Sequence, residues 1–158
     1  MPIYKKILVG TDGSENAERA LEKIRDAHEN WKSEIVVFHS YEHHLFPRSI
    51  PISTSIPYGS AYTIPASDYN QIKNEYKVRG EKILARAEQI FNTKQVPMET
   101  RLIEGMGPEE YIIQVAKNEN FDLVALGCKG HSKLEEIFIG SVAKKVLNKA
   151  PCDILIVR

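Results

Sequence analysis

The stretch KKILVGTDGSENAERAL, residues 5–21, changes character twice within one short span. Ile7, Leu8 and Val9 form an apolar run without polar alternation, which suits a strand buried on both faces of a parallel sheet. Gly10, Thr11, Asp12, Gly13 and Ser14 follow as a compact polar turn. Beyond it, Ala17, Ala20, Leu21, Ile24 and Ala27 recur at the helical period, and Ser14 is a natural N-cap. A buried strand that passes through a short turn into an amphipathic helix is the first half of a βαβ unit.

The same alternation continues along the chain. Four more runs read as strands: EIVVFHS (34–40), METRLIE (98–104), LVALG (123–127) and DILIVR (153–158). METRLIE mixes apolar and polar residues more than the others, which suits an edge strand. Helical segments separate the runs. Ile72, Tyr76, Ile83, Ala87 and Ile90 form one stripe of a long helix that starts near Ser67 or Asp68. Gly80 sits inside it, either for close packing or as a weak point. Pro108 opens a third helix, with Ile112, Val115 and Ala116 on its apolar face. Ala143, Val146, Leu147 and Ala150 line a fourth, which Pro151 ends. Strands alternating with helices imply parallel pairing and right-handed crossovers. The expected fold is α/β: a doubly wound five-stranded parallel sheet flanked by helices on both faces, in a single domain over 1–158.

Composition excludes several classes of function. The chain of 158 residues is 42% hydrophobic and 27% charged, as in a soluble globular protein. Lys plus Arg and Asp plus Glu are 21 each, so the net charge is zero and bulk binding to nucleic acid or to an anionic membrane is not expected. The apolar run near the N-terminus is too short for a signal peptide, and no run approaches the ~20 residues of a membrane span. A cytoplasmic protein is expected, with Cys128 and Cys152 as reduced thiols. The five histidines, His28, His39, His43, His44 and His131, show no metal-ligand spacing, so no metal is expected from the protein alone. Nor is a Ser-His-Asp or Cys-His arrangement visible.

Residues 41–66 do not fit the alternation. They hold four of the eight prolines and little periodicity. A loop this long is a variable surface insertion, or else a lid or partner-binding arm beside the ligand crevice.

Two loops carry candidate chemistry. In an open parallel sheet, ligands bind at the carboxyl ends of the strands where strand order reverses. The first loop is Gly10–Ser14. The second is GCKGHSKLEEIFIGS, 127–141, with two residues between Gly127 and Gly130 and nine between Gly130 and Gly140-Ser141. Glycines let phosphate oxygens approach main-chain amides. Gly140, Ser141 and Val142 would supply free amides at a helix start, where the dipole favours an anion. Lys129 and Lys133 add positive charge. The alternative is ordinary turn and cap chemistry. Asp12 has two readings as well. It accepts from an adenine amine or a ribose hydroxyl or helps to hold a divalent cation, or it accepts local backbone N–H groups. Cys128 is either a thiol made reactive by nearby lysines or a packing residue.

The chain resembles the universal stress protein (UspA-like) family over nearly its whole length. KKILVGTDGSENAERAL is similar to the family's opening strand, acidic turn and first helix. FDLVALGCKGHS and IGSVAKKVLNKAPCDILIVR are similar to its closing half. Gly127, Gly130, Gly140 and Ser141 reproduce the G-2x-G-9x-G-[ST] pattern of the members that bind ATP. The resemblance implies a Rossmann-like, adenine nucleotide alpha hydrolase-like fold with ATP in the crevice, accompanied by Mg. Gly127, Lys129 and Gly130, with Gly140, Ser141 and Val142, would hold phosphates and ribose. His131, next to Gly130, either touches phosphate or faces solvent. Thr11 and Asp12 would line the adenine and ribose side. The main chain near Ser40 would read the adenine edge, and Leu126 would pack near the base. Cys128 and Lys129 depart from the family's usual small residue and His or Arg. The resemblance also implies a homodimer. An edge argument agrees, because 153–158, if it lies at the sheet edge, is apolar and would leave its backbone groups unpaired. The function expected is a nucleotide-dependent sensor or switch in stress response, read by a protein partner. A slow ATP hydrolase and a nucleotide-free interaction module are the rival readings.

Overall fold

The computed structural model describes residues 2–41, 66–129 and 139–158, with backbone only for 66–68. Its elements run β1 (Lys6–Gly10), α1 (Glu15–Trp31), β2 (Glu34–Tyr41), α2 (Ala66–Asn92), β3 (Glu99–Glu104), α3 (Pro108–Asn118), β4 (Leu123–Gly127), α4 (Ser141–Lys149) and β5 (Asp153–Val157). All neighbouring strands are parallel, in the order β3-β2-β1-β4-β5. The five apolar runs and four helical segments of the sequence are these elements. The mixed run is β3, and it stands at an edge as its alternation implies. The expected 41–66 insertion lies outside the described residues except for its two ends.

Alternating residues of the central strands feed two cores. Ile7 and Val9 of β1, Ile35 and Val37 of β2, and Leu123 and Ala125 of β4 pack under α1 and α2, against Leu21, Ile24, Leu84 and Ala87. Leu8, Val36, Phe38, Val124 and Leu126 point the other way, against Tyr111, Ile112, Ala143 and Val146 of α3 and α4. Burial on both faces is why these strands read as continuous apolar runs. Cys152, just before β5, packs beside the second core but is only half-buried; burial pushes its thiol up from the usual range.

Local signals set the helix starts. The Ser14 Oγ accepts from the Ala17 amide at 3.3 Å, closing the first turn of α1. Pro108 occupies the first turn of α3. In α2, Gly80 is there for close packing: a Cβ on it would lie 2.7 Å from Leu102 Cδ1 and 3.0 Å from His39 Cδ2. The helix therefore lies tight on β2 and β3. The apolar stripe read along α2 splits at this point. Leu84, Ala87, Ile90 and Phe91 are buried, whereas Tyr76 is 38% exposed. Lys73, nearer the start of α2, pairs with Glu104, the last residue of β3. The amino-terminal half of the helix thus reaches past the carboxyl edge of the sheet, where there is no core to cover.

One charged cluster ties the β3 edge to the rest. The Arg101 Nη1 and Nη2 donate to Glu119 at 2.8 and 3.0 Å, and Nη1 also donates to the Tyr111 hydroxyl at 3.2 Å. Lys6 of β1 reaches the same glutamate at 3.5 Å. The Arg101 hydrogen bonds, with the charges of Arg101 and Lys6 behind them, hold the Glu119 carboxyl below the usual carboxylate range. A depressed folded-state value stabilises the fold above the unfolded value of about 4.3, and that stabilisation is lost as pH falls through the folded value. Replacing Arg101 by Met is expected to cost about 1–2 kcal/mol at neutral pH, a loss that shrinks in acid once Glu119 is protonated in the parent too. Urea unfolding between about pH 7 and pH 3 measures both. A difference that stays constant across that range would remove Glu119 ionisation from the account.

Candidate functional site

β1 pairs with β2 on one side and with β4 on the other, so strand order reverses between β1 and β4. At the carboxyl ends of these strands opens a crevice of about 860 Å³. Nine of the predicted residues line it: Thr11, Asp12, Ser40, Leu126, Gly127, Lys129, Gly140, Ser141 and Val142. Gly130 and His131 lie outside the described residues, as does Lys133.

The first loop is fixed by its neighbours. The Thr11 amide donates to the Phe38 carbonyl at 3.0 Å. The Thr11 carbonyl accepts from His39 Nδ1 at 2.7 Å, which places the proton on that nitrogen. Thr11 Oγ1 accepts from the Gly13 amide at 3.3 Å. Asp12 Oδ1 accepts from the Ser14 amide at 2.9 Å, so the local-backbone reading of this carboxylate holds for one of its oxygens. On β2, the Ser40 hydroxyl donates to the Met106 carbonyl, and Ser40 is buried. Leu126 is buried in the second core.

The second loop is pinned at both described ends. The Cys128 amide donates to the Val157 carbonyl at 2.7 Å, and the Gly140 amide donates to the Cys128 carbonyl at 2.6 Å. Cys128 and Gly140 are therefore held against each other. The Ser14 hydroxyl donates to the Lys129 carbonyl at 3.4 Å, which joins the two loops. Gly127 has a packing duty of its own. A Cβ there would sit 2.7 Å from the Ala17 nitrogen and the Asn16 carbonyl carbon of α1. Cys128 is buried, and Asn16 Nδ2 lies 3.6 Å from its Sγ.

The start of α4 differs from those of α1 and α3. α1 carries Glu15 and Glu18 in its first turn beside the Ser14 cap, and α3 carries Glu109 and Glu110. α4 is capped by Gly140 with no side-chain hydrogen bond and has no acidic residue in its first turn. Ser141 and Val142, whose amides belong to that turn, face the crevice. A helix start with neither a side-chain cap nor an acid, beside a cavity, favours an anion there.

Several lining residues escaped the reading of the sequence. Tyr76 and Arg79 come from the overhanging half of α2, Ile83 from the next turn beyond Gly80, and Pro108 from the start of α3. Their signal was present but ambiguous, because Tyr76 and Ile83 fall on the helical period and read as core. His39 also lines the crevice. Among the described residues, no three His, Cys, Asp or Glu side chains gather as metal ligands, and Asp12 is the only carboxylate in the crevice lining. No helix among the described residues is long and apolar enough to cross a membrane.

A doubly wound parallel sheet with a cavity at its strand reversal defines a class of α/β domains that take ligands at that edge. Within that class the chain belongs to the universal stress protein family, whose sequence model matches residues 3–158. It is 32% identical over 156 residues to Universal stress protein YxiE of Bacillus subtilis, covering 99% of this chain and 100% of the relative. Universal stress protein UspA from Lactobacillus plantarum shares the fold with a TM-score of 0.76 at 22% identity, over 98% of each chain. The universal stress protein from Archaeoglobus fulgidus in complex with dAMP does so with a TM-score of 0.62 at 22% identity, over 99% of each chain.

Proposed function

We propose that the protein binds an adenine nucleotide in this crevice, ATP with Mg²⁺, and acts in the cytoplasm as a homodimeric nucleotide-dependent sensor whose state a protein partner reads in stress response. The observation that carries this reading is the start of α4, with Ser141 and Val142 facing the cavity and no acid in the first turn. A phosphate chain is the ligand such a start suits. Lys129 adds a cation at the same wall. Thr11, held in place by its bonds to β2, and Asp12 would meet ribose and base, with the Ser40 main chain at the adenine edge and Leu126 against the ring. Mg²⁺ prefers oxygen ligands and keeps several waters, so it would arrive on phosphate oxygens, with Asp12 the carboxylate at hand. The dAMP complex of the Archaeoglobus fulgidus relative supports the ligand class.

The two sheet edges differ in a way that supports the dimer. β3 carries Glu99, Arg101 and Glu104 at its edge, charges that discourage strand pairing, whereas Ile154, Leu155 and Ile156 of β5 are only half-buried. Binding is favoured over hydrolysis because Asp12, the carboxylate of the crevice lining among the described residues, already accepts a backbone amide through Oδ1.

The test is the ligand the protein carries. Protein purified without added nucleotide is denatured by heat, and the supernatant is analysed by chromatography. An adenine nucleotide near one per chain is expected. A nucleotide-free supernatant, with no heat of binding on titration with ATP and Mg²⁺, would leave an interaction module that does not use the crevice for nucleotides.

A further inference from the structure

We infer that Arg79 of α2 contacts the phosphate chain of the crevice ligand, from the face of the sheet opposite to α4; this rests on the nucleotide reading above. Arg79 lines the cavity together with Tyr76, one turn earlier on the same helix. Its guanidinium carbon lies 5.9 Å from the centroid of the Tyr76 ring, close enough for the ring face to attract it. Arg79 stands apart from most arginines in the fold. Arg19 pairs with Glu15, Arg25 with Asp26, Arg86 with Glu18, and Arg101 with Glu99 and Glu119. Among the described residues Arg79 has no carboxylate partner, and it is the arginine that faces the cavity.

Its placement is set by packing. The next residue, Gly80, lets α2 come into contact with His39 and Leu102, so the backbone that carries Arg79 has little room to shift toward the sheet. α2 covers the sheet face of α1, while α4 covers the other face. A ligand in the crevice therefore has the anion-favouring start of α4 on one side and a guanidinium on the other. A guanidinium presents a planar fork of donors that matches two oxygens of a phosphate, which a neutral base does not offer in the same form. The charge and the fork together point to phosphate rather than adenine as its partner.

The experiment titrates ATP and adenosine separately into the parent protein, Arg79→Met and Arg79→Lys, each shown by thermal melting to be folded. Arg79→Met is expected to weaken ATP about tenfold and leave adenosine unchanged, and Arg79→Lys to recover part of the loss. Unchanged ATP affinity in Arg79→Met, or equal losses for ATP and adenosine, would overturn the phosphate contact while leaving nucleotide binding standing. A parent protein that takes up neither ligand would overturn the nucleotide reading and this inference with it.

Discussion

Gly127→Ala is expected to lower the stability of the protein by about 3 kcal/mol, the upper part of the range for overpacked interiors. The added methyl would sit 2.7 Å from backbone atoms of Asn16 and Ala17. These belong to the first turn of α1, whose Ser14 cap is bonded in turn to the Lys129 carbonyl. Backbone in a capped helix cannot yield as a side-chain tip can, so either α1 or the end of β4 must move. Gly10→Ala is the matching control. Its Cβ would come equally close, at 2.7 Å, to Leu126 Cδ2, the end of a side chain with other rotamers. That variant is expected to cost about 1 kcal/mol, less than half as much. Urea unfolding of both variants, with m-values matching the parent, measures the difference. Equal costs would mean that α1 is not anchored on Gly127.

The expected cost at Gly127 also changes how the glycine pattern should be read. A glycine there is required by α1 whether or not any phosphate is present. Loss of nucleotide binding in a Gly127 variant therefore does not separate a damaged scaffold from a blocked site. The pattern is a composite, with a packing residue at 127 and a cavity residue at 140.

The strands were legible because burial on both faces removes polar alternation, as in Ile7-Leu8-Val9 and Leu123–Leu126. Ser14 and Pro108 marked helix starts through chemistry that acts within one turn. The position of the crevice followed from strand order, which the alternation of elements suggested. What stayed hidden depends on contacts between residues far apart in the chain. Tyr76 has the period of a core residue, and only the depth at which Gly80 seats α2 against His39 and Leu102 shows that it overhangs the sheet. His39 was one of five histidines without a ligand pattern. Its bond to the Thr11 carbonyl arises from the pairing of β1 with β2, in which Gly10 stands opposite Phe38. Asp12 could not be resolved from the sequence because both of its readings use the same turn. The structure assigns one oxygen to the Ser14 amide.

Gly140→Val is expected to weaken ATP binding by at least about tenfold, or about 1.4 kcal/mol, while leaving the fold nearly as stable as before. Gly140 has φ −58° and ψ 157°, a backbone region that valine adopts without strain. Its two backbone bonds survive the substitution: its amide donates to the Cys128 carbonyl at 2.6 Å, and its carbonyl accepts from the Lys144 amide at 3.0 Å. The cost to stability is then that of a poorer N-cap, about 1 kcal/mol or less. The backbone does not demand a glycine here, so a binding loss reports on the cavity. A branched side chain on a residue that lines the crevice takes the space an anion needs to reach the Ser141 and Val142 amides. Ser141→Ala removes one hydroxyl and leaves every amide in place, so its effect on affinity should be the smaller of the two. Thermal melts and calorimetric titration of the two variants separate these effects. A Gly140→Val protein that melts like its parent and binds ATP with undiminished affinity would exclude the start of α4 as the phosphate site. A loss confined to Ser141→Ala would assign the contact to the hydroxyl alone.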